Sequence, residues 1–248
     1  MNYKLEICVD SVESSLNAQL AGAHRVELCD NLLEGGTTPS YGTITSVRSN
    51  IDISLHVIIR PRGGDFLYTD TEYDIMRRDI EICGEAGVDG IVTGILTSDG
   101  KVDTLRIARL AEIAYPMSVT FHRAFDMCSD PFKSLEDIIN SGAKRLLTSG
   151  QQNKAIDGSE LIRELIRQAE GRIIIMPGGG LDENNISELA KKTGASEFHL
   201  TGRKTVKSDM SFIKSDITMS GSAEYDEFSR KIADPVKIRK VIEILKNL

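Results

Sequence analysis

The sequence contains no tryptophan, and only 5% of its 248 residues are aromatic. Its four cysteines, Cys8, Cys29, Cys83 and Cys128, form no CxxC pair, which excludes a zinc ribbon and a thioredoxin-type motif on spacing. No apolar run approaches the ~18–20 residues that a membrane span requires. The 37 acidic residues outnumber the 30 basic ones, and the net charge is −7. Nucleic-acid binding requires clustered positive charge, so we expect neither nucleic acid nor membrane as a partner.

The start of the chain shows no signal-peptide pattern, because Met1 to Lys4 lead directly into a short strand-like run. A chain without such a signal is expected to stay in the cytoplasm, where thiols remain reduced. We therefore expect a cytoplasmic protein with free cysteines.

Short apolar runs alternate with longer amphipathic stretches along the whole chain. The strand candidates are rich in β-branched residues and bounded by Gly, Pro or Asp, at 4–9, 24–29, 53–60, 89–94, 117–122, 144–148, 172–176 and 196–201. A helical pattern follows each of them, at 12–22, 40–49, 70–86, 103–114, 132–141, 158–169, 183–192 and 235–247. This α/β repeat predicts a single-domain TIM (β/α)8 barrel over residues 1–248. A doubly wound sheet is the competing fold, but no GxGxxG motif follows the first strand.

Residues 203–233 interrupt the repeat with a long polar segment between the eighth strand and the C-terminal helix. A segment of this length without clear periodicity is either a lid over the barrel mouth or a surface insertion, and the sequence leaves both open. Met210 and Met219 lie in this segment and could add thioether ligands to a metal site.

Alternation along the strands predicts which side chains point into the barrel. The apolar set must pack on the helices, which sends Glu6, Cys8, Glu27 and Cys29 inward on the first two strands. The same alternation sends further polar side chains inward on later strands, namely His56, Arg60, Thr120, His122, Glu197 and His199. Because buried charges are costly unless paired, we expect these groups to neutralise one another or to bind a ligand.

Several segments resemble one known family over nearly the whole chain. They are EICVDSVESSLNAQLAGAHRVELCDNLLEGGTTPSYG at 6–42, IIRPRGGDFLYTD at 58–70, VTFHRAFDM at 119–127, LTSG at 147–150 and MPGGG at 176–180. By these motifs the chain is similar to the CutC family, whose members are known as copper homeostasis proteins. The resemblance implies a cytoplasmic TIM barrel that handles copper and forms a homo-oligomer.

The resemblance also implies a metal site, because family members proposed to bind Cu(I) use thiols at positions that match Cys8 and Cys29. Thiolate suits Cu(I), which is a soft ion. The sequence indicates no organic cofactor. A second interpretation of the two cysteines stays open, because free cysteine is often only a small buried hydrophobe.

An enzyme acting on a small anionic metabolite at the C-terminal ends of the strands is the alternative hypothesis. Its catalytic candidates are Glu6 or Glu27 as general base, His122 as the acid partner and Arg60 as the anion-binding group. Glu6, Glu27 and His122 would also suit a divalent metal ion. The loop after the seventh strand is a common phosphate site in barrels. The additional ligand-binding candidates are Arg62, Asp65, Arg123, Asp126, His199, Gly179 and Gly180. A third hypothesis, a scaffold that only oligomerises, predicts neither kind of site.

Overall fold

Eight strands alternate with eight α-helices in the computed structural model, which describes residues 3–214, 216, 217, 219 and 226–248. The barrel strands are β1 (Lys4–Val9), β2 (Arg25–Leu28), β3 (Ser54–Ile58), β4 (Gly90–Thr93), β5 (Ser118–Phe121), β6 (Arg145–Thr148), β7 (Ile174–Pro177) and β8 (Glu197–Leu200). The helices are α1 (Val12–Ala21), α2 (Tyr41–Asn50), α3 (Asp70–Glu85), α4 (Thr104–Ala114), α5 (Pro131–Asn140), α6 (Ser159–Ala169), α7 (Ile186–Thr193) and α8 (Pro235–Lys246). Two 3-10 turns cover Leu32–Glu34 and Arg123–Met127.

The strands form one parallel sheet in the order β8-β1-β2-β3-β4-β5-β6-β7. A single parallel bridge between Gly178 and His199 joins the two ends of this sheet, so the barrel is nearly closed. The TIM-barrel prediction is confirmed. Among the described residues, no helix combines the length and the apolarity needed to cross a bilayer.

Helix ends follow local sequence signals. Thr69 begins α3 with a capping box, in which its side chain accepts from the Glu72 backbone N–H and the Glu72 carboxylate accepts from the Thr69 backbone N–H. Asp130 and Asp234 cap α5 and α8 immediately before a proline in the first turn. Gly22 ends α1 at φ 91°, a left-handed conformation that glycine adopts without strain. These signals determine where the chain turns back toward the barrel.

Side chains on the barrel strands alternate between two environments. The apolar layer between the sheet and the helices contains every second residue of β1, namely Leu5, Ile7 and Val9. Inside the barrel, Cys8 packs with Cys29 and Ile58 in a separate cluster. The inward direction predicted for the two cysteines therefore agrees with the structure.

The segment at 203–233 contains strands that its polar sequence does not indicate. Its ends, β9 (Arg203–Lys207) and β10 (Ser229–Ala233), form an antiparallel pair. This pair packs on α1, where Ala233 donates its backbone N–H to Ser14 and accepts a hydrogen bond from Asn17. The expectation of an irregular segment is wrong at both ends, because strand pairing depends on the partner strand and not on apolar periodicity. The lid prediction also covers residues 215, 218 and 220–225, which lie outside the described residues.

Gly90 in β4 makes room for a histidine ring. A Cβ atom at this position would lie 2.5 Å from Nε2 of His56, its register partner in β3. We expect Gly90→Ala to lower the free energy of unfolding by about 1–3 kcal/mol, because the ring or the strand must shift in a packed interior. Urea unfolding measures the change.

Gly42→Ala, at an exposed position of α2, is the matched control. A Cβ atom at Gly42 would meet nothing closer than 3.9 Å, and the substitution should stabilise the protein by about 0.5–1 kcal/mol. Similar losses in both variants would contradict the steric explanation.

Candidate metal centre

Two thiols lie side by side inside the barrel, near the C-terminal ends of β1 and β2. Cys8 is the register partner of Glu27, and Cys29 follows the last residue of β2 on the same inward face. The distance from Cys8 Sγ to Cys29 Sγ is 3.7 Å, and the two residues are 5% and 2% exposed. Both are free thiols. The structure thus brings together the two residues predicted as metal ligands.

An imidazole and a carboxylate complete this group. Potential ligand atoms of Cys8, Glu27 and His199 all lie within 4.8 Å of one another. His199 reaches the group from β8, and its Nε2 is 3.6 Å from Glu27 Oε2. Its other ring nitrogen, Nδ1, lies 2.7 Å from Glu6 Oε1. Thiolate and imidazole donors suit soft and borderline metal ions, so the chemistry of the donor set fits such an ion.

An ionic layer lies below the group, toward the N-terminal ends of the strands. Arg25 forms ion pairs with both Glu6 and Glu197, and Arg145 Nε donates to the same Glu197 oxygen at 2.8 Å. Burial alone would raise the pKa of Glu6, but the charge of Arg25 and the contact with His199 outweigh it and hold that pKa well below its usual range. A continuous series of charged contacts therefore links the bottom of the barrel to the His199 ring.

Burial and neighbouring groups shift the pKa values of Cys8, Glu27 and His199. The hydrogen bond from Cys29 lowers the pKa of Cys8 to about 5. Burial raises the pKa of Glu27 to about 8, despite the opposing charge of His199. Burial alone would lower the pKa of His199, but hydrogen bonds to Cys8 and Glu6 raise it well above its usual value. The directions of these pKa shifts favour a thiolate at Cys8, an imidazolium at His199 and a protonated carboxyl at Glu27.

Two of the predicted catalytic residues lie apart from this group. Arg60 is buried, and its guanidinium donates to three backbone carbonyls of the neighbouring loops. His122 is also buried and accepts a backbone hydrogen bond at Nδ1. Within the described part of the chain, no hydrogen bond or ion pair joins either residue to Glu6 or Glu27. The structure therefore brings Glu6, Glu27 and His199 together but does not add Arg60 and His122 to them.

Arg62 and Asp65 lie in the loop after β3, where they contact each other. Arg62 Nη2 is 3.1 Å from Asp65 Oδ1, and Arg62 Nε is 2.6 Å from Glu72 Oε1. The Arg62 and Asp65 side chains are 38% and 74% exposed. These contacts hold the loop against the start of α3.

Arg123 and Asp126 form a second polar network, above β5 and β6. Arg123 Nε lies 2.7 Å from Asp126 Oδ2, and Arg123 Nη2 donates to Ser149 Oγ at 2.7 Å. A Cβ atom at Gly179 would lie 3.5 Å from the Arg123 guanidinium, while one at Gly180 would lie 3.0 Å from a neighbouring lysine side chain. The glycine loop after β7 thus lies directly against Arg123.

Arg25 and Arg145 belong to the ionic layer, and neither was among the inward residues predicted from the sequence. Both are the first residue of their strand and lie at the bottom of the barrel interior. Arg25 shares the alternation of Glu27 and Cys29, so the inward pattern of β2 contained the signal for it. Arg145 carried no comparable signal, because its inward contact with Glu197 depends on the arrangement of distant strands.

The chain folds into a parallel eight-stranded barrel, and thiol, imidazole and carboxyl groups are buried near the C-terminal ends of its strands. This combination defines the class of the protein. It is a TIM barrel with a candidate soft-metal centre in its mouth, the end at which TIM barrels carry their functional sites. Comparison with known proteins identifies the family.

The chain belongs to the CutC family, whose family model matches residues 3–204. It is 46% identical over 246 residues to the human copper homeostasis protein cutC homolog, covering 99% of this chain and 90% of that protein. It is 49% identical over 243 residues to a CutC family protein of Parabacteroides distasonis, covering 98% of this chain and 100% of that protein. The crystal structure of CutC from Streptococcus agalactiae is similar with a TM-score of 0.77 and 38% identity, covering 80% of this chain and 98% of that one. The family predicted from the motifs is confirmed.

Proposed function

We propose that this chain is a copper homeostasis protein that binds Cu(I) through Cys8 and Cys29, with His199 as a third donor. The observation that carries the proposal is the 3.7 Å separation of the two sulfur atoms, beside an imidazole that a carboxylate holds in place. The name of the human relative, at 46% identity, supports copper as the ion. Soft thiolate ligands favour the cuprous state.

The orientation of His199 supports its role as a ligand. A histidine that binds a metal commonly donates its second ring N–H to a carboxylate, which fixes the orientation and tautomer of the ring. Here Glu6 Oε1 lies 2.7 Å from His199 Nδ1, which leaves the other ring nitrogen, Nε2, on the side of Glu27 and Cys8. Glu6 is itself held by Arg25. The ring is thus positioned before any ion arrives.

Burial also supports a cuprous site. Cys8, Cys29 and His199 are each no more than 8% exposed, so an ion bound among them would be shielded from water. Metal binding would release protons from the Cys29 thiol and the His199 ring, because a metal binds thiolate and neutral imidazole.

An anaerobic titration tests the proposal. Copper-free protein and a strong colorimetric Cu(I) chelator compete for the ion, and we expect one Cu(I) to be taken up per chain. X-ray absorption at the copper edge should then show two sulfur neighbours and one nitrogen neighbour. The proposal is contradicted by failure to compete with the chelator, or by a copper environment without sulfur.

Glu6→Gln is expected to lower the affinity for Cu(I) by about 10–100-fold, the range for loss of a partner that orients a metal ligand. The matched control is Glu197→Gln, which also removes an ion pair with Arg25; in the described part of the chain, Glu197 forms no hydrogen bond or ion pair with His199. The same chelator competition measures both variants. Equal losses in the two would show that the effect comes from the ionic layer and not from the orientation of His199.

A second candidate function is an enzyme acting on a small anionic metabolite. Glu27 favours it, because a carboxyl group with a pKa of about 8 is suited to act as a general acid near neutral pH. A thermal-shift screen of small carboxylates and phosphates tests the idea. We expect a ligand that stabilises the native chain and not Glu27→Gln, and a screen without any stabilising compound counts against it.

We further propose a cytoplasmic location and a homo-oligomeric state, which the resemblance of the sequence motifs to the CutC family implies. A reducing compartment would keep Cys8 and Cys29 as free thiols. Cell fractionation tests the location, and light scattering of the purified protein tests the oligomeric state. A monodisperse monomer would contradict the proposed homo-oligomeric state.

A further inference from the structure

Four buried polar atoms, two in the loop that follows β3 and two in the β5 segment, have no hydrogen-bond partner among the described residues. They are Arg60 Nε, Tyr68 Oη, Thr120 Oγ1 and His122 Nε2. Most buried polar side-chain atoms in folded proteins are hydrogen-bonded, so a group of four on one side of a functional mouth requires an explanation.

All four atoms can donate a hydrogen bond. His122 Nδ1 accepts from the Ala124 backbone N–H at 3.2 Å, and burial lowers the pKa of His122 to about 3, so the neutral ring carries its proton on Nε2. Burial raises the pKa of Tyr68, against the effect of the Arg60 charge, so its hydroxyl keeps its proton at neutral pH. Arg60 Nε can only donate. The chemistry that these groups share is therefore recognition of an acceptor.

Arg60 is also a buried cation without a counter-ion. It is 5% exposed, and its Nη atoms donate to the backbone carbonyls of Glu34, Gly36 and Gly64 at 2.7–2.8 Å. In the described ranges of the chain, it forms no ion pair with a carboxylate. An uncompensated buried charge is costly. Its Nε–H and Nη2 form the edge with which arginine binds a carboxylate or phosphate through two parallel hydrogen bonds.

One aromatic ring and one strand group Arg60, His122 and Thr120, while Tyr68 is close enough to Arg60 for that charge to act on its pKa. Phe66 lies with its ring centroid 5.2 Å from Arg60 Cζ and 5.1 Å from the centroid of the His122 ring. Thr120 precedes His122 by two residues, so alternation places both on the same face of the β5 segment. Two motifs of the sequence, IIRPRGGDFLYTD and VTFHRAFDM, supply all of the unpartnered donors. The copper proposal makes no use of either motif.

We propose that Arg60, Tyr68 and His122 bind the oxyanion of a small carboxylate or phosphate ligand, at a site that does not include the thiols. The ligand would supply acceptors for these unpartnered donors and a negative charge in direct contact with the Arg60 guanidinium. The site stands independently of Cu(I) binding, and its test uses copper-free protein.

The experiment measures the binding of inorganic phosphate and of acetate to the full-length chain by isothermal titration calorimetry and thermal shift in Tris chloride. The two probes distinguish a phosphate site from a carboxylate site. We expect at least one of them to bind saturably and to raise the Tm above that given by sodium chloride of equal ionic strength. Tyr68→Phe removes one oxygen atom and should weaken that binding by about tenfold, since a hydrogen bond to a charged group contributes about 1.5 kcal/mol or more.

Tyr73→Phe is the matched control. Tyr73 also lies under an arginine, with Arg106 Cζ 5.0 Å from its ring centroid, just as Arg62 Cζ lies 5.1 Å from that of Tyr68. The Tyr73 variant should bind the probe like the native chain. The site is disproved if neither probe exceeds chloride, or if Tyr68→Phe binds as tightly as Tyr73→Phe. A chain that fails to bind copper could still bind phosphate or acetate, so the result for the copper site and the result for the oxyanion site are independent.

Discussion

Replacing Cys8 and Cys29 together by serine is expected to abolish Cu(I) binding. The thiols are the only sulfur donors in the described cluster at the mouth, and serine oxygen is a hard ligand that Cu(I) disfavours. Each single replacement should lower the affinity by more than about 100-fold, above the range for loss of a partner that only orients a ligand. Chelator competition under anaerobic conditions measures all three variants.

Cys128→Ser is the control for a general effect of removing a thiol. Cys128 is also buried, at 7% exposed, but its Sγ lies near Gln151 Nε2 and not in the cluster with Cys8. This variant should bind Cu(I) as the native chain does. If the double variant retained stoichiometric binding in competition with the chelator, the copper site would have to lie elsewhere.

Arg25→Met is expected to lower the free energy of unfolding by about 3–5 kcal/mol, the largest stability loss that we predict. Arg25 is buried at 5% exposed, and it compensates two buried carboxylates, Glu6 and Glu197. Methionine fills much of the same volume but leaves Glu6 without its main cation. Urea unfolding at neutral pH, where both carboxylates are ionised, measures the loss.

Arg167→Met provides the comparison at the surface. Arg167 pairs with Glu164 at 3.1 Å, but the two side chains are 68% and 39% exposed. Solvent screens such a pair, so its loss should change stability by less than about 1 kcal/mol. A small effect of Arg25→Met, within that range, would show that Glu6 and Glu197 find other compensation when Arg25 is absent.

Much of the fold could be predicted from the order of residues. The capping box at Thr69 and the left-handed Gly22 place helix ends by contacts within a few residues, so they are readable locally. The alternation of β1 predicted that Glu6 and Cys8 point inward, because a strand has a side-chain period of two. The pairing of β9 with β10 was not predictable in this way, since its partners are separated by more than twenty residues and neither strand is apolar.

The candidate site, like the fold, was predictable from the sequence only in part. The sequence by itself determined the barrel, the family and the inward set that includes Cys8, Glu27 and His199, because strand periodicity and local motifs carry that information. Only the tertiary structure decided that His199 meets Glu6 and Glu27 while Arg60 and His122 are held elsewhere in the mouth. The physical reason is that the closure of a barrel and the stagger of its strands decide which inward side chains share a layer. That stagger is a property of the whole sheet, and no single strand encodes it.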